Sequence, residues 1–321
     1  MRFPLANLGF LIITGLIAAA VLPAKQRGVS RPIAWCYVRQ GPIEVPRRGL
    51  GARPISLSLS RGVLVPVVRL ESKKGSRRAL LRITDLATLV PVEAWVDASR
   101  IEVYAADRFP PDEELVRRAG LGNLDDLTIA KVSVARWLVK QGNSAPALIC
   151  YVGLFGLPAS RLVAFLPAHG DFLPGPWLEF PFSDVKPGIV AGEVRDLVGD
   201  GNECLITREP FREGPATFGA NMVIRRLESG KFAPLWTAPL EFQNFSFYPP
   251  QAQILQPLEK NAGAPGTLTK AEVEFQPRGK VHIPVWQATV QFFVPGQDKP
   301  VESVRVSKAC AWNGSEFEPL R

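Results

Sequence analysis

Histidine, methionine and cysteine are scarce in this chain, at two, two and four in 321 residues. Few histidines remove the commonest general base and metal ligand. His169 sits in the turn-like Pro167-Ala168-His169-Gly170, and His282 sits in the strand-like Lys280-Val281-His282-Ile283. No Gly-x-Ser-x-Gly elbow, His-Glu-x-x-His pair, phosphate-binding Gly-x-x-x-x-Gly-Lys or dinucleotide fingerprint occurs, so no motif nominates a catalytic group. The cysteines Cys36, Cys150, Cys204 and Cys310 are too far apart for Cys-x-x-Cys chemistry, which excludes a zinc ribbon and a thioredoxin-like centre. An even number permits disulfides in an oxidising compartment. Each cysteine also has apolar neighbours, as in Trp35-Cys36-Tyr37, where it can serve as a small buried hydrophobe.

Long helical stretches are also missing. Proline and glycine number 30 and 27, and the patterned segments are short and rich in Val, Ile, Phe and Trp, which suits strands. The expected class is mainly β. The one clear helix is Pro110–Gly120, with proline and acids at its start, arginines at its end and glycine after it. Its apolar face of Leu115, Val116 and Ala119 is small, so its expected role is a linker.

The eighteen residues Leu5–Leu22 carry no charge, follow Arg2 and precede Pro23, Ala24, Lys25 and Arg27. A positive start, an apolar middle and small residues near a cleavage point form an export signal, which places the mature chain in the periplasm or outside the cell. The alternative is a membrane anchor formed by residues 5–22, since this length is at the lower limit for spanning a bilayer. The organisation read from the sequence is a signal peptide at 1–24, a small β-barrel at 30–105, a linker with one short helix at 106–125 and a larger β domain at 126–321.

Charge is uneven. Residues 25–105 hold 15 Lys and Arg against 6 Asp and Glu, whereas residues 106–321 hold 22 against 24. The basic first module suits an anionic polymer or surface, and an exported chain with no aromatic-and-basic nucleic-acid signature leaves nucleic acid out. Arg77 and Arg78, in the run Lys73-Lys74-Gly75-Ser76-Arg77-Arg78, are candidate ligand contacts. Trp95 is a third candidate. It alternates with Ala94 and Val96 and so lies on one face of a strand, where it either closes the core or lines a groove.

The order of features from Ile33 to Val103 resembles the bacterial Src-homology-3-type domain. The matching residues are Gly62 and Val63 in a valine-rich strand, the turn at Lys73–Arg78, and Glu93-Ala94-Trp95-Val96-Asp97-Ala98-Ser99-Arg100-Ile101-Glu102. The four or five short strands of this stretch suit a small closed or half-open barrel, and the resemblance implies a family that binds cell-wall or peptide ligands. Further on, Asp196-Leu197-Val198-Gly199-Asp200-Gly201-Asn202-Glu203 resembles the calcium turn of integrin-alpha and adhesin β repeats, with Asp196, Asp200 and Glu203 as the oxygen ligands that resemblance implies. Val198 and Cys204 stand where that turn wants oxygens, and a plain β-turn explains the glycines equally. Leu227–Trp236 and Trp312–Leu320 repeat one strand–turn–strand shape, which suits a partial propeller-like array or a β-sandwich.

These features point to a non-catalytic exported binding or scaffolding protein of the bacterial envelope. Its expected partner is a wall polymer or a peptide, with no cofactor unless the acidic turn holds calcium, and with membrane contact only if residues 5–22 remain attached. The alternative is an extracytoplasmic hydrolase or transferase of unfamiliar β fold that uses scattered acids.

Overall fold

A computed structural model describes residues 32–47, 55–73, 76–85, 90–121, 131–155, 159–181, 188–213, 217–245, 266–294 and 299–320. The export or anchor segment and the proline-rich stretch 249–265 lie outside them. Residues Pro32–Arg321 make one compact unit, mainly β with one short α-helix. Among the described residues no helix is long and apolar enough to cross a membrane.

The first sheet contains β1 (Ala34–Val38), β4 (Leu64–Lys73), β5 (Ser76–Asp85), β6 (Val90–Asp97) and β7 (Ile101–Ala105), in the order β6-β5-β4-β1-β7. Between β1 and β4 the chain leaves to form a separate hairpin of β2 (Ile43–Arg47) and β3 (Ile55–Leu59). The start of β4 pairs with β1 and its remainder with β5, with a register shift between Val67 and Arg69; such a bulge bends the strand. Ala34, Cys36, Val38, Val67, Leu81, Val96 and Ile101 close one core with Ile43 and Leu59 of the hairpin.

Two sequence expectations change here. Val92–Val103, which reads as a single strand from its sequence, is not one, because a 3-10 turn, η1 (Ala98–Arg100), interrupts it and carries the chain from one sheet edge to the other. Asp97 caps that turn by accepting the Ser99 amide at 2.8 Å. The sheet is also not a closed barrel, since β6 and β7 are its two edges and are joined only through η1.

The helix α1 (Asp112–Arg118) forms where the sequence placed it, with Asp112, Glu113 and Glu114 in its first turn and Arg117 and Arg118 in its last. Glu114 accepts hydrogen bonds from both arginines, which drop its carboxyl to about 2. The helix is more than a linker. Leu115 and Val116 are fully buried with Trp35, Tyr37 and Leu64 of the first sheet and with Leu148, Cys150 and Phe165 of the next. A seven-residue helix is too short to hold itself together, whereas each such side chain contributes about 2 kcal/mol by burial. α1 therefore acts as a plug between two sheets.

The second sheet orders β11 (Asp171–Pro181), β10 (Ala159–Ala168), β9 (Ala147–Phe155) and β8 (Lys131–Val139). Residues 147–152 of β9 are buried without a break. Leu148, Cys150 and Val152 face α1, while Ala147, Ile149 and Tyr151 face the third sheet. A strand covered on both sides needs no polar alternation, which is why its sequence is apolar throughout.

The third sheet is an eight-stranded antiparallel meander of β12 (Ala191–Arg195), β13 (Cys204–Glu213), β14 (Thr217–Glu228), β15 (Lys231–Phe245), β16 (Gly266–Arg278), β17 (Val281–Phe293), β18 (Glu302–Trp312) and β19 (Phe317–Pro319). Its near end packs on the second sheet through Val194, Leu205, Leu227 and Phe232, which matches the sandwich alternative. Further along, Cys204, Ile206, Ile224, Val285, Cys310 and Phe317 share a core, and β15 contacts β19, so the sheet coils. The repeated strand–turn–strand units are hairpins of this one sheet, β14–β15 and β18–β19.

Candidate functional site

The acidic turn that resembles a calcium loop is occupied by protein groups. Asp196 accepts the amides of Gly199 at 2.7 Å and Gly201 at 3.0 Å through its two oxygens. Gly199 has φ +74°, and a Cβ there would lie 2.4 Å from the Lys280 carbonyl, so only glycine fits. Asp200 accepts the Asn202 amide at 2.9 Å and pairs with Arg226 at 3.1 Å. Burial alone would raise the Asp200 carboxyl, but the Asn202 amide and the Arg226 charge overcome it and hold the group below the usual carboxylate range. Glu203 turns away from the loop and is 3% exposed. Among the described residues no three His, Cys, Asp or Glu side chains group into a metal cage.

What Glu203 touches explains the turn. One carboxylate oxygen accepts the Lys140 amide at 2.8 Å and the other accepts Arg61 Nη2 at 3.0 Å, while the Glu203 amide donates to the Lys140 carbonyl at 2.9 Å. Arg61 belongs to Arg61-Gly62-Val63, the stretch at which all three sheets meet. The Gly62 amide donates to Val38 at 3.0 Å, the Gly62 carbonyl accepts from Leu138 at 3.1 Å, and the Arg61 carbonyl accepts from Val194 at 2.9 Å. Gly62 has φ +89°, and a Cβ would stand 2.4 Å from Val194 Cβ. The acidic turn and the Gly62 strand start thus form a seam that locks the sheets together.

The three ligand-contact candidates lie elsewhere. On β6, Ala94 and Val96 point into the core and Trp95 points out, 43% exposed, which excludes core closure for this indole. Trp95 pairs with Leu80, and Asp97 pairs with Arg78, across an unbroken β5–β6 register. Successive strand residues alternate faces, so Arg78 shares the outer face with Trp95 and Arg77 projects from the opposite face at the same end of β5. The structure therefore brings Arg78 and Trp95 together and sets Arg77 apart.

Most arginines of the first sheet are engaged. Arg39 pairs with Glu102, Arg61 with Glu203, Arg69 with Glu71 and Arg82 with Glu93, and Arg100 donates to the Gln40 and Pro42 carbonyls. Among the described residues, no ion pair or hydrogen bond occupies Arg77 or Arg78. The Arg78 charge acts only at longer range, on Asp97.

All four cysteines are buried free thiols, so the hydrophobe reading holds over the disulfide. Burial pushes Cys36 and Cys150 up to about 12, and such thiols are inert as nucleophiles.

Sequence reasoning passed over a second exposed tryptophan. Trp177 on β11 is 53% exposed, with the Arg161 guanidinium 4.5 Å over its ring. Pro174, Gly175 and Pro176 break the alternation of this strand, so the sequence reading names no strand there. The nearest sequence signal is the alternation of Trp177 and Glu179 with Leu178 and Phe180. Comparison of the chain with protein-family models, with curated proteins and with solved structures finds no match in any of the three.

Proposed function

We propose that this is a non-catalytic binding or scaffolding protein of the bacterial envelope that holds an anionic wall polymer or an acidic peptide on its first module. The observation that carries this reading is Arg78, which shares the outer face with the outward Trp95 and has no ion pair or hydrogen bond among the described residues, while five neighbouring arginines are engaged; Arg77 is likewise unengaged there, on the opposite face. An unpaired guanidinium keeps its donors for carboxylate or phosphate. The charge excess of residues 25–105 adds long-range attraction. The leader at residues 5–22 supports an address outside the cytoplasm.

Co-sedimentation of the full mature chain with purified envelope, followed across salt, tests the proposal. Binding at low salt that weakens as salt rises is the expected result. Absence of binding at low salt overturns it.

A further inference from the structure

We infer that Trp177, with Arg161 and Glu179, forms a second binding site, a stacking platform for the pyranose ring of an uncharged glycan. The inference rests on the envelope reading only for the source of the glycan, since the platform is built from side chains the first module does not share. β11 is an edge of the second sheet, and Trp177 pairs with Val163 while Glu179 pairs with Arg161. This register puts Trp177, Glu179 and Arg161 on one face. Arg161 is fixed from three sides. It donates to the Ala119 carbonyl at the end of α1 at 2.8 Å, reaches Glu179 at 3.3 Å, and holds its guanidinium carbon 4.5 Å over the centre of the indole ring. The indole is nonetheless 53% exposed.

The chemistry selects the ligand. A tryptophan held in place and more than half exposed offers a large rigid apolar plane at little entropic cost. The axial C–H face of a pyranose matches such a plane, and its ring hydroxyls find an acceptor in Glu179 and a donor in Arg161 at the rim. A cationic ligand is disfavoured, because Arg161 already engages the negative face potential of the ring. The Arg161–Glu179 ion pair leaves no net charge at the rim to select an anion. An extended peptide adding to the β11 edge is disfavoured because Pro174 and Pro176 have no amide hydrogen to give.

Titration of the 15N-labelled mature chain with a soluble β-1,4-linked N-acetylglucosamine tetramer, read at the indole Nε1–H resonances, tests this. The expected result is a saturable shift of one indole, assigned to Trp177 by its loss in Trp177→Phe. Affinity falls by about tenfold in Trp177→Ala and stays unchanged in Trp95→Ala. A titration that shifts no indole, one that shifts Trp95 instead, or a shift produced by a proline-rich peptide and not by the sugar overturns the platform. Sugar binding that persists in a chain unable to co-sediment with envelope would refute the envelope reading and leave the platform standing.

Discussion

The seam at Arg61–Val63 and the outer face at Arg78 and Trp95 use the same residue types for opposite ends. At the seam, Arg61 and Glu203 are paired, the backbone hydrogen bonds are spent between sheets, and the glycine has no room for a methyl group. On the outer face, Arg78 has no ion pair or hydrogen bond among the described residues, its charge acting on Asp97 at longer range, and the indole is left to solvent. Charge and aromaticity by themselves do not mark a site. What separates structure from recognition is whether each polar group is already satisfied within the fold.

The largest break in this comparison comes from Gly62→Ala. Overpacking against Val194 costs about 3 kcal/mol, and the positive φ adds about 1 kcal/mol, so denaturant unfolding should show a severely weakened or multi-step transition. Leu115→Ala, which empties part of the plug, costs about 3 kcal/mol, read from the same unfolding midpoint. Glu203→Ala leaves the Lys140 amide without its acceptor and costs about 2 kcal/mol. Glu203→Gln keeps an acceptor for that amide and should recover most of the loss. An Ala variant as stable as the parent would show that the seam is ornamental.

Titration separates the regions next. The folded Asp200 carboxyl lies below its ordinary value, so its contribution is present above about pH 4 and is lost as pH falls through the folded value. Asp200→Asn should flatten the acid limb of a stability profile. Cys36 and Cys150 run the other way, because their folded values are raised from 9.0 to about 12. Their contribution is present below the ordinary thiol value and is lost as pH rises from there toward 12. Consistent with this, Ellman's reagent should find all four thiols only after unfolding. Two or fewer reactive thiols in the unfolded, unreduced chain would contradict four free cysteines.

The smallest effect on stability belongs to the outer face. Arg77→Glu with Arg78→Glu should move the unfolding free energy by only about 0.5 kcal/mol while abolishing envelope co-sedimentation at low salt. If stability collapses and binding survives, the two regions have been assigned the wrong way round.

Several elements were legible because local physics decides them. The helix at Asp112–Arg118 carries its own start and stop signals, and Val132–Lys140, open between a strand and a helical face that includes Val134 and Trp137, is preferred as a strand for its β-branched content and forms β8. The hairpin β2–β3 and the edge strand β11 were not legible, since prolines and glycine interrupt them and only their neighbours hold them extended. The acidic turn leaves two readings open in the sequence, of which the plain turn is preferred. Asp and Gly in alternation satisfy a tight turn and a cation loop equally, and the sequence does not say that Glu203 reaches the Lys140 amide, 63 positions away.

Composition and periodicity alone determined a β-rich chain with one short helix, a basic first part and no nominated catalytic group, because hydrophobic alternation and net charge are sums over near neighbours. Tertiary structure decided that α1 is a plug, that the four thiols are buried and unpaired, that the acidic turn is part of a seam, and that Arg77, Arg78, Trp95 and Trp177 stay open. The physical reason is that burial and hydrogen-bond satisfaction depend on residues distant in the chain, and those meet only once the sheets have packed.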